Sequence, residues 1–139
     1  MGIFYTPENL AKMAAIVRMA NPQIVLTHAP IDYMEDHQNA CRLAVSAAFI
    51  KFSPNFHCDP PTLPVNGDVA VYHAQPHGNC TPLLESVEPT YVVDCSDVIE
   101  QKKRALEQHQ SQQNWLDTTQ KLSSYVQSMI DNSSRVGKF

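Results

Sequence analysis

The sequence predicts an α/β fold in which about three mainly parallel strands form a layer with flanking helices. Short apolar segments rich in β-branched residues alternate along the chain with longer segments whose apolar residues recur every three to four positions. These two periodicities are typical of strands and of amphipathic helices. Strands that alternate with helices favour a parallel, layered sheet, because each helix returns the chain to the start of the next strand.

Composition restricts the class of protein. The chain has 139 residues, 43% hydrophobic and 17% charged, which is typical of a single globular domain over residues 1–139. The net charge of −4 and the scattered lysines and arginines exclude nucleic acid as a partner, since phosphate binding needs a concentrated basic surface. Because the sequence has neither a signal peptide nor an apolar run of the roughly 20 residues that cross a bilayer, we expect a cytoplasmic protein with no membrane partner.

The four cysteines are far apart and form no C-x-x-C pair, which argues against a zinc ribbon or a thioredoxin-like site. We expect free thiols, because disulfides are rare in cytoplasmic proteins. Cys41 and Cys95 lie among apolar residues and are interpreted as core positions. Cys58 and Cys80 fall in predicted loops, and the sequence leaves their roles open.

The first half of the chain is predicted to form a helix, a strand and a second helix. Thr-Pro-Glu at residues 6 to 8 is typical of a helix start and Asn21-Pro22 of a helix end, so the first helix spans residues 6 to 20. The apolar segment 24 to 28 is typical of a central strand covered on both faces. Asp36 can cap the second helix. That helix has an apolar stripe of mostly small residues: Ala40, Leu43, Ala44, Ala47 and Ala48.

The middle of the chain is predicted to be richer in loops. Four prolines and one glycine in residues 51 to 67 indicate an irregular segment. Residues 68 to 74 and 90 to 94 resemble strands, because both are short and rich in valine and tyrosine. A loop with one possible helical turn separates them.

Two further helices follow these strands in the prediction. Asp97 opens an Asp-x-x-Glu pattern that resembles a capping box, and this helix ends near Gln110. The last helix is predicted over residues 117 to 130, with a frayed tail over 130 to 139. Three strands are few for a layered sheet, so we expect a partner to cover an open edge, most simply in a homo-oligomer.

Polar residues follow each predicted strand at its carboxyl end. Reactive groups of open parallel sheets collect at this edge, which makes it the candidate site. The residues concerned are His28, Asp32, Tyr33, Asp36, His37, His73, Gln75, His77, Asp94, Ser96 and Asp97. Simpler interpretations remain open at this point: Asp36 can be only a helix cap, and His37 only a solvated imidazole in the first helical turn.

The stretch NPQIVLTHAPIDYMEDHQNACRLAVSAAF resembles the second conserved block of the LmbE-like, or PIG-L-type, zinc-dependent de-N-acetylases. In that family a strand leads through a D-Y-H-P-D-H-like turn into a helix. The similarity continues through VAVYHAQP and through YVVDCSDVIEQKKRALEQHQSQ, where the family often has a Lys-x-x-Ala-Leu-x-x-His-x-Ser-Gln pattern. It covers nearly the whole chain, and it implies a partial Rossmann-like layered fold.

The resemblance implies roles for individual residues. His37 corresponds to a histidine ligand of the zinc, and Asp36 to the acid beside it that steadies the site. Met34 stands where many members have a second histidine, which stabilises the oxyanion or protonates the leaving amine, and Glu35 replaces a proline. That catalytic role would then pass to another local histidine: His28, His73 or His77.

The family's first motif, a Pro-His-Pro-Asp-Asp-Glu-like loop, is absent from this sequence. In the family it supplies two metal ligands and the general base. A hydrolytic zinc centre normally needs three protein ligands and a water molecule. We therefore expect His37 to be one arm of a half-site, which would not bind zinc tightly without further ligands.

Three functions follow from these expectations. The first is a truncated relative of the N-acetyl-sugar deacetylases, without hydrolase activity on its own and self-associating, or paired with a missing N-terminal half. The second is a zinc-dependent amide hydrolase whose site is completed by another chain or by local residues such as His28, Asp32, Asp36 and His37. The third is a non-catalytic module that binds a small polar ligand of the amino-sugar type.

Overall fold

The computed structural model of the chain describes residues 2–112 and 125–138, which belong to two compact units, Met1–Val87 and Glu88–Phe139. The first unit contains helix α1 (Pro7–Ala20), strand β1 (Ile24–Thr27), helix α2 (Glu35–Ile50), strand β2 (Ala70–His73) and a 3-10 turn (His77–Asn79). The second contains a 3-10 turn (Ser96–Val98), helix α3 (Ile99–Glu107) and helix α4 (Tyr125–Val136). The predicted α/β class is confirmed. None of the helices in the described ranges is long and apolar enough to cross a membrane.

The two strands pair in parallel, in a register that sets Ile24 opposite Ala70 and Thr27 opposite His73. Helix α2 lies in the connection between them and packs against both strands. Because parallel strands run in the same direction, the chain leaves Thr27 and His73 at the same edge of the sheet. The loops that follow β1 and β2 therefore begin side by side.

One face of this sheet is exposed, contrary to the prediction that the first strand is covered on both faces. Val25 and Thr27 are half-buried, whereas Ile24 and Leu26 point their side chains into solvent. Alternate residues of a strand lie on opposite faces, so the half-buried pair faces one side and the exposed pair the other. Sequence pattern alone missed this difference, because Ile24, Val25 and Leu26 form a continuous apolar run without alternation of polar residues.

The predicted strand at residues 90 to 94 is wrong: in the described part of the chain these residues lie in no strand. Its valines are β-branched, but Val93 is 84% exposed. β propensity describes how well a side chain fits a half-buried pleated surface, and this exposed stretch does not offer such a surface. The sheet of the described chain therefore has the two strands β1 and β2.

Helix α1 begins and ends where its local sequence predicts. The Thr6 hydroxyl accepts a hydrogen bond from the Asn9 backbone N–H at 3.2 Å, and Asn21 ends the helix in the left-handed conformation (φ 39°, ψ 57°). At the centre of the interface with α2, Ala14, Val17 and Ala47 are buried, and larger apolar side chains such as Leu10, Met13 and Ile50 pack around them partly buried. The alanine stripe of α2 predicts packing on the sheet, whereas its Ala47 packs against Ala14 and Val17 of α1.

Helix α2 begins at Glu35, with Met34 at the N-cap position, so the prediction that Asp36 caps it is wrong. The Asp36 carboxylate accepts hydrogen bonds instead from the backbone N–H groups of Gly2 (3.3 Å) and Ile3 (3.2 Å). The side chain is already inside the first helical turn, and the fold brings the N-terminal segment against it. This long-range contact cannot be inferred from residues 27 to 49 alone.

The helices of the second unit differ from prediction at their ends. Asp97 does not cap α3, whose N-cap residue is Val98, without a side-chain cap bond. The carboxylate before this helix that bonds to the backbone is that of Asp94, which accepts hydrogen bonds from the Ser96 N–H (2.9 Å) and hydroxyl (2.6 Å). These bonds lower the pKa of the Asp94 carboxyl. Helix α4 continues to Val136, past the predicted end at residue 130, and the part of that prediction over 117 to 124 lies outside the described residues.

A buried arginine joins α1 to the end of α2. The Arg18 guanidinium is 3% exposed and donates to the backbone carbonyls of Lys51 (2.9 Å), Ser53 (2.6 Å), Ile50 (3.5 Å) and Thr62 (2.7 Å). The first three lie at or just beyond the last turn of α2, where carbonyls lack intrahelical partners and the helix dipole favours a cation. Thr62 lies in the irregular segment, which the same side chain therefore holds in place.

We predict that replacing Arg18 with methionine lowers the free energy of unfolding by about 3 kcal/mol, because buried carbonyls lose a charged donor. Urea unfolding followed by circular dichroism measures the change. The matched control is R104M, at an exposed arginine of α3, which should alter the free energy by less than about 0.5 kcal/mol. Equal effects of the two substitutions would contradict the anchoring role of Arg18.

Candidate functional site

The candidate site is the loop between β1 and α2, together with the first turn of α2. Asp32 is its most buried polar residue, at 3% exposure. The Oδ1 atom of Asp32 accepts the backbone N–H of Met34 at 2.9 Å and lies 3.0 Å from Nδ1 of His37. The Gln38 amide donates to the Asp32 carbonyl oxygen at 2.6 Å. One carboxylate thus ties the loop to the helix and to the imidazole of His37.

Aromatic rings surround His37. The His28 ring lies parallel to it, with centroids 4.1 Å apart and an interplanar angle of 1°. The Tyr33 ring meets His37 edge-on at 5.9 Å and also packs against His77 at 5.5 Å. His28 follows β1 and His77 follows β2, so residues from both strand ends and from the start of α2 meet here.

His73, the last residue of β2, is attached to the same region through the backbone of His28. Its Nδ1 lies 2.9 Å from the His28 carbonyl oxygen, and since a carbonyl only accepts, this nitrogen carries the proton. The Cys41 sulfur is 3.5 Å from the same nitrogen. Burial raises the pKa of the Cys41 thiol, which keeps it protonated, so this pair is not an activated nucleophile.

The structure brings together most of the site residues predicted after the first two strands. His28, His37 and His73 are linked by the ring stack and by the hydrogen bond to the His28 carbonyl. Asp36 is directed to the N-terminal segment instead. Gln75 donates to the Val87 carbonyl at 2.7 Å, in a role that supports the loop. The remaining predicted residues, Asp94, Ser96 and Asp97, belong to the second unit.

The sequence predicts that Asp32 lies at the carboxyl-end edge of the sheet, but it does not predict the contact between Asp32 and His37. The two residues are five apart, and one lies in a loop, so no helical spacing indicates that they meet. The available signal is the position of an acid just before a helix whose first turn contains a histidine. That arrangement allows the loop to fold back over the first turn, where free backbone N–H groups attract a carboxylate.

Zinc is the metal that the resemblance implies. Among residues 2–112 and 125–138, no three histidine, cysteine, aspartate or glutamate side chains lie close enough to hold a metal ion together. A catalytic zinc centre takes three such ligands. The described residues therefore do not fit a complete zinc centre, and His37 supplies at most one of its ligands.

No protein-family model matches the sequence. A relative is the diacetylchitobiose deacetylase of Thermococcus kodakarensis, which is 30% identical over 112 residues, or 78% of this chain and 39% of the relative. Among solved structures, the fold matches N,N′-diacetylchitobiose deacetylase from Pyrococcus horikoshii in complex with its inhibitor MPG, with a TM-score of 0.61 and 25% identity. That match covers 78% of this chain and 39% of the other.

The chain thus spans about two-fifths of the length of these relatives, 39% in each comparison. The sequence comparison and the structure comparison both match diacetylchitobiose deacetylases. The motif around His37 resembles the same family. Over the stretch that it shares with them, the chain belongs to the LmbE-like, PIG-L-type de-N-acetylase family.

Proposed function

We propose that this chain is a part-length relative of the N-acetyl-sugar deacetylases that carries one arm of the metal site and has no hydrolase activity by itself. The observation that best supports the proposal is the surroundings of His37. Its imidazole is half-buried between the Asp32 carboxylate and the His28 ring, in a stretch similar to diacetylchitobiose deacetylases, and the described residues supply no set of three ligands.

Catalysis in this proposal requires groups from outside the described residues. In a complete centre zinc would activate a water molecule for attack on the amide. This chain contributes the oriented imidazole of His37 and the aromatic rings of His28 and Tyr33 that pack against it. Asp36, His28 and His73 stay predicted catalytic residues, and the hydrogen bonds of Asp36 to the N-terminal backbone favour a structural role for that carboxylate.

A second candidate is a zinc-dependent deacetylase whose site is completed by another chain. It is favoured by the cluster of histidines at the ends of β1 and β2, which leaves several imidazoles at one edge of the sheet.

A third candidate, a module that binds an amino sugar without reacting with it, is favoured by Tyr33. Tyr33 is 59% exposed beside two histidines, and an exposed aromatic residue of this kind can pack against a sugar ring.

Self-association belongs to the same proposal. The two-stranded sheet has an exposed apolar face at Ile24 and Leu26. On the other side of the sheet, an open groove of about 360 Å³ lies between α2 and β2, lined by Val45, Phe49, Phe52 and Val71 among others. Phe49 is 72% exposed. Sheets of two strands are marginally stable unless more strands or helices cover them, and a second copy of the chain would supply both.

We predict that the purified chain, saturated with zinc and then dialysed, retains far less than one equivalent of metal and releases no acetate from N,N′-diacetylchitobiose. Elemental analysis and acetate detection measure the two quantities. The residual zinc affinity should fall about tenfold or more in His37→Ala, and it should not change in His57→Ala, at an exposed histidine of the irregular segment.

Stoichiometric zinc together with acetate release by this chain alone would refute the proposal and support a complete enzyme. Activity that appears only when a second polypeptide is added would instead support the site completed by another chain.

We also predict that the chain forms a dimer in sedimentation velocity and that Phe49→Asp raises the dimer dissociation constant about tenfold or more. The reason is that burial of a phenylalanine contributes about 1.5–3 kcal/mol, which a carboxylate would forfeit. Leu63→Asp is the control, because Leu63 is 84% exposed in the irregular segment and away from the groove. A wild-type chain that stays monomeric at high concentration would contradict self-association.

A further inference from the structure

We infer that Asp32, and not Asp36, is the residue that positions the imidazole of His37, by holding its proton on Nδ1 and leaving the lone pair on Nε2. The use of that lone pair for a metal rests on the proposed function. The positioning itself rests on the contacts of the two carboxylates alone, and it is distinct from the role of steadying the site that the resemblance implies for Asp36.

The direction of the hydrogen bond follows from the atoms involved. The Asp32 Oδ1 atom accepts the Met34 N–H at 2.9 Å, since a backbone amide only donates. The same oxygen lies 3.0 Å from His37 Nδ1. An ionised carboxylate offers no proton, so the bond forms only when Nδ1 is the protonated nitrogen. Burial of Asp32 at 3% exposure removes water as a competing partner for this oxygen.

This choice of tautomer determines which atom of the ring is available. In a neutral imidazole one nitrogen carries the proton and the other the lone pair, so protonation at Nδ1 leaves Nε2 as the acceptor or ligand atom. The parallel His28 ring at 4.1 Å limits rotation of the His37 ring out of this plane. A carboxylate bonded to the far nitrogen of a histidine is the usual support for a metal-binding imidazole.

Asp36 is excluded from this role by its position and by its partners. Adjacent residues of a helix point in different directions, and they do not face each other as residues three or four apart do. The Asp36 carboxylate is bonded to the backbone N–H groups of Gly2 and Ile3. The acid next to His37 in the sequence therefore organises the N-terminal segment, while the acid five residues earlier organises the ring.

The experiment is long-range proton–nitrogen correlation NMR on the nitrogen-15-labelled full chain, at a pH where His37 is neutral. His37→Gln identifies its signals by their loss. We expect the wild type to show Nδ1 protonated and Nε2 unprotonated. In Asp32→Ala the ring should shift toward the Nε2-protonated form or a mixture of the two. Asp36→Ala, the matched control, should leave the His37 tautomer unchanged.

Asp32→Asn provides a rescue that a merely structural role would not predict. The Met34 N–H holds an oxygen at the Oδ1 position, so the asparagine should present its carbonyl there and keep the proton on Nδ1. The Nδ1–H proton should move upfield, because a neutral acceptor forms a weaker hydrogen bond than a carboxylate. This variant also keeps the test decisive if Asp32→Ala does not fold.

Wild-type His37 with its proton on Nε2 would overturn the inference. So would a folded Asp32→Ala protein with an unchanged tautomer, or an Asp36→Ala protein with a changed one. Zinc titration of the same samples tests the proposed function separately: Asp32→Ala should weaken the residual zinc affinity about 10- to 100-fold. The expected tautomers combined with no effect of Asp32→Ala on zinc affinity would leave the positioning of His37 by Asp32 intact and refute its contribution to metal binding.

Discussion

The buried guanidinium of Arg18 is the interaction on which the first unit depends. The fully buried centre of the core between α1 and α2 is limited to Ala14, Val17 and Ala47, and the larger apolar side chains around it are only partly buried. Arg18 compensates by donating to carbonyls at the end of α2 and in the irregular segment. Lys51, also buried, donates to the Asn21 side chain at the end of α1. Cations at the carboxyl ends of both helices thus hold the pair together.

This anchoring orients the other end of α2, where His37 lies. The helix is a rigid rod of 16 residues, so contacts at Ile50 and Lys51 constrain the direction in which its first turn meets the sheet. The loop from β1 reaches the same turn through Asp32, and the histidines after β1 and β2 close around it. Arg18 at the carboxyl end of α2 and the Asp32 carboxylate at its amino end therefore together determine the position of the His37 imidazole.

The first unit has much exposed apolar surface for a stretch of chain that is similar to the diacetylchitobiose deacetylases. The matched stretch is 39% of each relative, and here one sheet face and the groove beside Phe49 are exposed. Parallel sheets are usually covered on both faces. Incomplete burial and an incomplete ligand set occur together in the described residues.

The sequence by itself determined the features that depend on neighbours along the chain. Thr6, Asn21 and the alanine stripe of α2 act locally, and the motif around His37 identified the family. Tertiary structure alone decided that Asp32 rather than Asp36 meets His37, that residues 90 to 94 pair with no strand, and that α4 continues to Val136. A cap or a periodic stripe acts on residues a few positions away. The partner of a carboxylate or of a strand edge, in contrast, is whichever group the folded chain brings within hydrogen-bonding distance.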